Sequence, residues 1–466
     1  MKHKVQIDGK VYFAEENTLL SELLIHEGFA VEHPCGSWGR CGKCTVTVDG
    51  NKELSCRYRI TKDITVMLPE SGEIQSESGV SFSMNSASEK CLALDIGTTT
   101  LALALVNISD GSVSDLKKCT NPQRRFGADI MTRIDYCSKN GVRELHDALI
   151  LAVNKLIAEI GAESVGKMYV SGNATMLHTF LNENPSSMGV YPYTPVFLEA
   201  RTVSASDTGI CGAREIITLP SISAFVGADI VAGLNCVKVP ENGKHSILID
   251  LGTNAEIVLF DDKSSVCTAA AAGPCFEGAN ISSGMSALPG AVYAYGKDGA
   301  KVIGDDVALG ICGTGLVDVV AYLLTEEIMD ETGYLECEEF TVSGDITVTQ
   351  NDIRQYQLAK SAIYSAVLTL MKIKSVDFAD IEKVYISGGF SAEINIANAV
   401  ATGLLPSEVE SKCVPVYNSS LLGTVKFASE HNDLLPIING AKYVDLSADK
   451  YFSDLFIESM LFDSLI

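Results

Sequence analysis

Leu94-Asp95-Ile96-Gly97-Thr98-Thr99-Thr100, followed by the apolar residues 101–106 and then Asp110-Gly111, is the stretch that decides the fold, because it occurs twice. Its second copy is Ile249-Asp250-Leu251-Gly252-Thr253-Asn254-Ala255, followed by the apolar residues 257–260 and Asp261-Asp262. Each copy reads as a buried strand, a tight Gly/Thr turn, a second strand and another turn. Further on, Met168-Tyr169-Val170-Ser171-Gly172-Asn173 is echoed by Val384-Tyr385-Ile386-Ser387-Gly388-Gly389-Phe390. The interval from Asp95 to Ser171 is 76 residues and that from Asp250 to Ser387 is 137, so an insertion of 61 residues separates two otherwise similar lobes.

A hairpin turn of Gly and Thr offers backbone N–H and hydroxyl donors to phosphate oxygens, and an aspartate ending the strand before it can hold magnesium, usually through water. Two such turns facing each other would grip a triphosphate from both sides. The candidate phosphate ligands are Gly97, Thr98 and Thr99 in one turn and Gly252, Thr253 and Asn254 in the other, with Asp95 and Asp250 for magnesium. Neither a Gly-x4-Gly-Lys-Ser/Thr nor a Gly-x-Gly-x2-Gly pattern competes for a nucleotide. Glu277, in a Gly-rich stretch beyond the second turn, is the carboxylate expected to orient an attacking water. Asp129 and Asp229 each stand in Gly-Ala-Asp-Ile, where helix N-termini explain both, with one available to line the cleft. Gly313-Thr314-Gly315 reads as a turn at a helix start, and His178 as a packed core histidine.

The paired turns, with Gly388-Gly389-Phe390 as the adenosine loop, resemble the acetate and sugar kinase, Hsp70 and actin superfamily over residues 91–466. The resemblance implies an α/β, two-lobed, actin-like ATPase domain with a five-stranded sheet in each lobe and ATP in the cleft between them. The lobes would span residues 91–243 and 244–466, with residues 223–233 and 419–428 as the interdomain helices.

Ahead of this domain, Cys35-Gly36-Ser37-Trp38-Gly39-Arg40-Cys41-Gly42-Lys43-Cys44 is followed by Cys56. Four thiolates so spaced can converge on the two irons of a [2Fe–2S] cluster, with the glycines letting the backbone bend around sulfide. A structural zinc site would favour two close Cys/His knuckles, and only one is present. Trp38 either shields the cluster or packs. The flanking hairpin of residues 4–13, a helix capped by Asn17 or Thr18 and ended by Gly28, and strands at 45–48 and 64–68 make a small α+β, β-grasp-like ferredoxin domain over residues 1–70. Residues 71–90, rich in Ser, Glu and Gly, read as a flexible linker.

The formal net charge of −24, without any long Lys/Arg cluster, argues against nucleic acid and anionic membranes as partners. The first residues lack an apolar signal core and no run of 18 apolar residues occurs, so a cytoplasmic protein is expected. Ten of the 14 cysteines are scattered singly, as suits reduced thiols.

The ferredoxin module together with Asn121-Pro-Gln-Arg-Arg-Phe-Gly127-Ala-Asp129-Ile, Ser171-Gly-Asn-Ala-Thr-Met, Gly273-Pro-Cys-Phe-Glu277-Gly-Ala-Asn and Asp352-Ile-Arg-Gln-Tyr-Gln-Leu-Ala-Lys360 resembles the reductive activators of corrinoid proteins. That resemblance implies an ATP-hydrolysing electron-transfer protein of anaerobic metabolism, which passes an electron from its cluster to the inactive cob(II)alamin of a methyl-transferring corrinoid protein. The implied cofactors are the cluster, ATP and Mg2+. The implied partners are the corrinoid protein and an upstream reductant, with a homodimer left open. Longer family members carry a middle segment between ferredoxin and ATPase, where this sequence has only the linker. Two rivals stand beside this reading: a small-molecule kinase with a regulatory ferredoxin domain, and a nucleotide-binding redox sensor.

Overall fold

The computed structural model describes residues 2–7, 9–27, 29, 44–68, 89–162, 164–305, 307–389 and 393–462. Cys35, Trp38, Cys41, Gly28, Phe390 and nearly all of the expected linker lie outside the described residues.

The N-terminal unit is a five-stranded sheet of β1 (Lys2–Ile7), β2 (Lys10–Glu15), β3 (Thr45–Val48), β4 (Asn51–Leu54) and β5 (Ile64–Met67). Its order is β2-β1-β5-β3-β4, with β1 antiparallel to β2 and parallel to β5. Val5 and Ile7 alternate inward on β1 to meet Leu20 and Leu24 of the Leu20–His26 helix, which closes a small core with Val46, Ile64 and Val66. Strand β4 was not expected, because Asn51-Lys52-Glu53 is polar and exposed; the Asp49-Gly50 turn alone brings it back along β3.

The first large sheet holds β6 (Lys90–Ile96), β7 (Thr100–Asn107), β8 (Val113–Thr120), β9 (Val165–Gly172), β10 (Arg201–Ser204) and β11 (Ala213–Thr218), in the order β10-β11-β9-β6-β7-β8. The second begins with β12 (His245–Leu251), β13 (Ala255–Phe260) and β14 (Ser265–Ala270). Then come a three-stranded sheet of β15 (Ala291–Gly296), β16 (Gly299–Val302) and β17 (Gly310–Ile311) and the hairpin of β18 (Glu339–Ser343) and β19 (Ile346–Thr349), which account for the longer second copy. The second sheet resumes with β20 (Ile381–Ser387), β21 (Cys413–Pro415) and β22 (Ala441–Tyr443), giving the order β21-β20-β12-β13-β14-β22.

Each sheet thus has six strands where five were expected. The additions are short edge strands: β10 antiparallel to β11, and β22 parallel to β14. Runs of four and three residues are too brief to carry a periodic signal. The duplication itself is carried to the level of register, for Asp95 sits opposite Ser171 in the β6/β9 pair and Asp250 sits opposite Ser387 in β12/β20.

Two helices, Ala228–Cys236 and Ser419–Glu430, cross between the sheets. Ile230 and Leu234 of the first pack on Leu248 and Val258 of the second sheet, while Leu421, Val425 and Ala428 of the second helix belong to the core of the first lobe. The crossing is close because residue 423 is glycine: a Cβ there would stand 1.7 Å from the Ala232 carbonyl oxygen. The first helix starts at Ala228 rather than 223, since the Ser223 hydroxyl accepts from the Val226 amide at 3.1 Å and holds the preceding residues in a turn. Among the described residues, no helix is long and apolar enough to cross a membrane.

Candidate active site in the interlobe cleft

The two Gly/Thr turns face each other across a cleft of about 230 Å³. Its walls include Asp95, Gly97, Thr98 and Thr99 from the first lobe and Asp250, Gly252, Thr253 and Asn254 from the second, with Glu277, Gly388 and Gly389. All the expected nucleotide and magnesium ligands within the described residues therefore come together in one place. Gly388 has φ +116°, and a Cβ there would stand 2.1 Å from the Leu251 carbonyl oxygen. A side chain at this position would push the second turn out of line.

Glu277 joins the lobes. Thr99 donates its hydroxyl to one carboxylate oxygen of Glu277 at 2.6 Å, and Thr253 donates to the other. The residue sits at the end of the short turn Pro274–Glu277, whose following Gly278 adopts the left-handed conformation that reverses the chain. On the first-lobe side, Asn173 donates to the Thr98 hydroxyl at 3.1 Å.

Asp95 accepts from Asn418 at 2.8 Å and from the Ser420 hydroxyl at 2.7 Å, so the first strand is tied to the start of the second interdomain helix. Burial raises its pKa against these donors. Three more carboxyls crowd the same floor. Burial, with Asp95 and Glu277 nearby, pushes Asp250 up to about 7. Burial and Asp250 push Asp229 up to about 8, and burial with Asp229 and Asp250 lifts Glu256 well above the usual range. Such a set of hard oxygen donors, unable to ionise together, suits a divalent cation that would relieve their repulsion. Among the described residues no three His, Cys, Asp or Glu side chains form a ready ligand set.

Glu256, Lys118 and Arg124 are cleft residues that sequence reasoning did not single out as site residues. Lys118 lies with its Nζ 4.3 Å from the centre of the Tyr417 ring; burial brings its pKa down to about 8 while Asp95 pulls the other way. The available signal was the adjacent pair Lys117-Lys118 in a strand, of which one must face inward. The two Gly-Ala-Asp-Ile copies part company: Asp129 caps the helix Ile130–Asn140 by accepting from the Thr132 amide at 2.8 Å, while Asp229 lines the cleft. Gly313 begins the helix Gly313–Thr325 and touches the cleft. His178 is a packed core residue, bonded to the Ala174 carbonyl at 2.6 Å and stacked on Phe197.

In the N-terminal unit, Cys44 and Cys56 are buried with their Sγ atoms 3.2 Å apart. That is far longer than a disulfide bond, and both side chains face the same spot, which fits two thiolates converging on one centre.

Residues 91–241 match the family profile described as the RACo middle region, and residues 244–465 match the C-terminal domain of RACo, the ASKHA domain. The chain belongs to the RACo family of reductive activators of corrinoid proteins. The middle-region profile falls on the residues of the first lobe. Among relatives, the corrinoid activation enzyme RamQ of Eubacterium limosum is 30% identical over 357 residues, 68% of this chain and 60% of that protein. The [Co(II) methylated amine-specific corrinoid protein] reductase of Methanosarcina barkeri is 28% identical over 398 residues, 76% of this chain and 72% of that one. A solved structure of a reductive activator for corrinoid, iron-sulfur protein superposes with a TM-score of 0.73 at 25% identity, covering 98% of both chains. The chain spans about 60% of the length of RamQ, the less completely covered of the two curated relatives.

Proposed function

We propose that this protein is an ATP-dependent reductive activator, which delivers one electron to the cob(II)alamin of a corrinoid protein and restores cob(I)alamin. The observation that carries the proposal is the convergence of both phosphate turns on one carboxylate, Glu277, at the boundary between lobes that cross through two shared helices. An active site assembled from both lobes changes when they move, so nucleotide state and lobe geometry are linked.

In this reading Thr98, Thr99, Thr253 and Asn254 donate to the phosphates of ATP, Asp95 and Asp250 hold magnesium through water, Gly388 and Gly389 shape the adenosine loop with Phe390, and Glu277 orients the attacking water. Lys118 and Arg124 add positive charge where charge builds on the phosphates. Cys35, Cys41, Cys44 and Cys56 hold a [2Fe–2S] cluster, which supplies the one-electron step when bound and is recharged by an upstream reductant. Cys44 and Cys56 lie buried in the module's core, shielded from water.

The test is anaerobic spectroscopy of a corrinoid protein mixed with this chain, reductant and Mg-ATP. Cobalt reduction that requires both ATP and an intact cluster is expected. ATP consumption driven by a sugar or carboxylate, and indifferent to cluster loss, would replace this reading with that of a small-molecule kinase.

A further inference from the structure

The run Asn121-Pro122-Gln123-Arg124-Arg125-Phe126-Gly127 and the helix after it lie directly behind the first phosphate turn, and two of their side chains hold its backbone. Asn121 donates its side-chain N–H to the Gly97 carbonyl at 2.8 Å. Arg133 donates from Nη2 to the Thr98 carbonyl at 2.6 Å, from Nε to the Gly127 carbonyl at 2.9 Å and from Nη1 to the Met176 sulfur at 3.3 Å. The guanidinium is fully buried and all three partners are neutral. Glu277 and Asp129 attract it from beyond contact distance while Arg124 repels it, and a buried charge without a contacting counter-charge is costly, so a fold that retains one has a use for it.

The geometry points to that use. We infer that Arg133 and Asn121 are positioning residues that polarise the first phosphate turn and fix it before a nucleotide arrives. Each grips the oxygen of a peptide whose N–H belongs to the next residue: Asn121 acts on the peptide carrying the Thr98 amide, Arg133 on the one carrying the Thr99 amide. A donor on a peptide oxygen strengthens the same peptide's N–H as a donor, and a cationic donor does so most. Among the described residues, neither of those amides is used by a protein acceptor. The second turn has no counterpart: no side chain among the described residues donates to the Gly252 or Thr253 carbonyl. The first turn is thus the one of the pair whose backbone is held in place for the phosphates.

This inference rests on the nucleotide reading proposed above, and the test separates the two. Calorimetric titration of ATP and AMP, with magnesium, is compared for the wild-type chain, R133K and N121S. Lysine keeps the charge but cannot reach all three acceptors, and serine keeps the cap on Gln123 while losing the reach to Gly97. R133K should weaken ATP by roughly tenfold or more and N121S by about threefold or more, as expected for lost charge-assisted and neutral hydrogen bonds, with AMP changed less than twofold. Losses equal for ATP and AMP, or no loss, would overturn the inference and leave a scaffold role. If R133K does not fold, N121S decides alone. A wild-type chain that binds neither ligand would defeat the nucleotide reading, and this inference with it.

Discussion

Glu277→Gln gives the most direct view of how the cleft works. In the structure the Glu277 carboxylate occupies the Thr99 and Thr253 hydroxyls, the same donors that phosphate oxygens would need. ATP must therefore displace charge-assisted bonds of ~1.5–3 kcal/mol each. It must also approach a like charge, and at ~6 Å with an effective dielectric of ~20 a carboxylate repels one phosphate charge by about 3 kcal/mol. Glutamine has the same shape, keeps one acceptor and removes the charge. At about 1.4 kcal/mol per tenfold, the variant should bind Mg-ATP roughly ten- to a hundredfold more tightly. Its hydrolysis should fall by about 10²–10⁴-fold, because the group that orients the water is gone. Nucleotide titration and phosphate release under single-turnover conditions measure the two effects separately. Hydrolysis at the wild-type rate would refute the catalytic role, and ATP affinity that is unchanged or weaker would refute the displacement argument.

Cys44→Ser should strip or severely disturb the visible absorption of the cluster and abolish cobalt reduction while leaving ATP affinity within about twofold, since ATP binds on a separate domain; stoichiometric zinc without iron in the wild-type protein would remove the cluster reading. Asp250→Asn and Asp95→Ala should each lower magnesium-dependent ATPase activity at least about tenfold, as expected for a group that positions charge in the transition state, and wild-type activity in either would exclude that residue as a magnesium holder. Lys360 is buried on the Leu461 carbonyl, 2.7 Å away, and beneath the Phe462 ring, and burial brings its pKa down to about 7. Below pH 7 it is charged in both folded and unfolded states, and the cost of burying that charge is felt in full. As the pH rises from 7 toward its ordinary value near 10.5 the folded state sheds the proton first and stability grows. Lys360→Met should flatten that rise in thermal unfolding between pH 7 and 9, and identical pH profiles would show that the lysine is hydrated instead.

How much could be read from the sequence depends on how far each signal reaches along the chain. The Asp-x-Gly-Thr turns and their Ser-Gly echoes are local and repeated, so Asp95, Ser171, Asp250 and Ser387 were legible down to the strands that pair them. The ferredoxin hairpin and helix were legible in place but not in detail: the helix begins at Leu20, beyond Asn17 and Thr18, and Val11 and Phe13 lie exposed on the second strand, which turns Ala14 inward instead. Asp129 and Asp229 show the limit, because the same tetrapeptide gives a surface cap in one place and a cleft carboxyl in the other; only packing against the second sheet decides. Asn418 and Ser420 meet Asp95 across more than 320 residues, and nothing local to either marks the contact. Lys118 was hidden for a different reason: a lysine in a half-buried strand looks like a solvated face until the opposite lobe covers it.

The same contacts indicate how the lobes move. At the start of the second interdomain helix, Ser420 pairs with Ser171 of the first lobe at 2.9 Å and Ser419 pairs with Ser387 of the second at 2.8 Å. Thr424 also donates to Ser171 at 2.8 Å. A hydroxyl is both donor and acceptor, so these pairs can exchange partners without leaving a buried group unsatisfied, which an ion pair cannot do. Sliding at this point is therefore cheap, while the close approach of Gly423 to Ala232 leaves the helices no room to move nearer. A rotation about the crossing would open or shut the gap that Glu277 spans. A nucleotide that favours one rotation by ~5 kcal/mol could shift a coupled one-electron reduction by ~200 mV, at about 59 mV per factor of ten. A cluster near about −400 mV needs help on that scale to reach a harder acceptor. Neutral hydroxyls at the hinge and charge at the cleft are consistent with that task, because the free energy then resides in the nucleotide contacts and little of it is lost in turning the hinge.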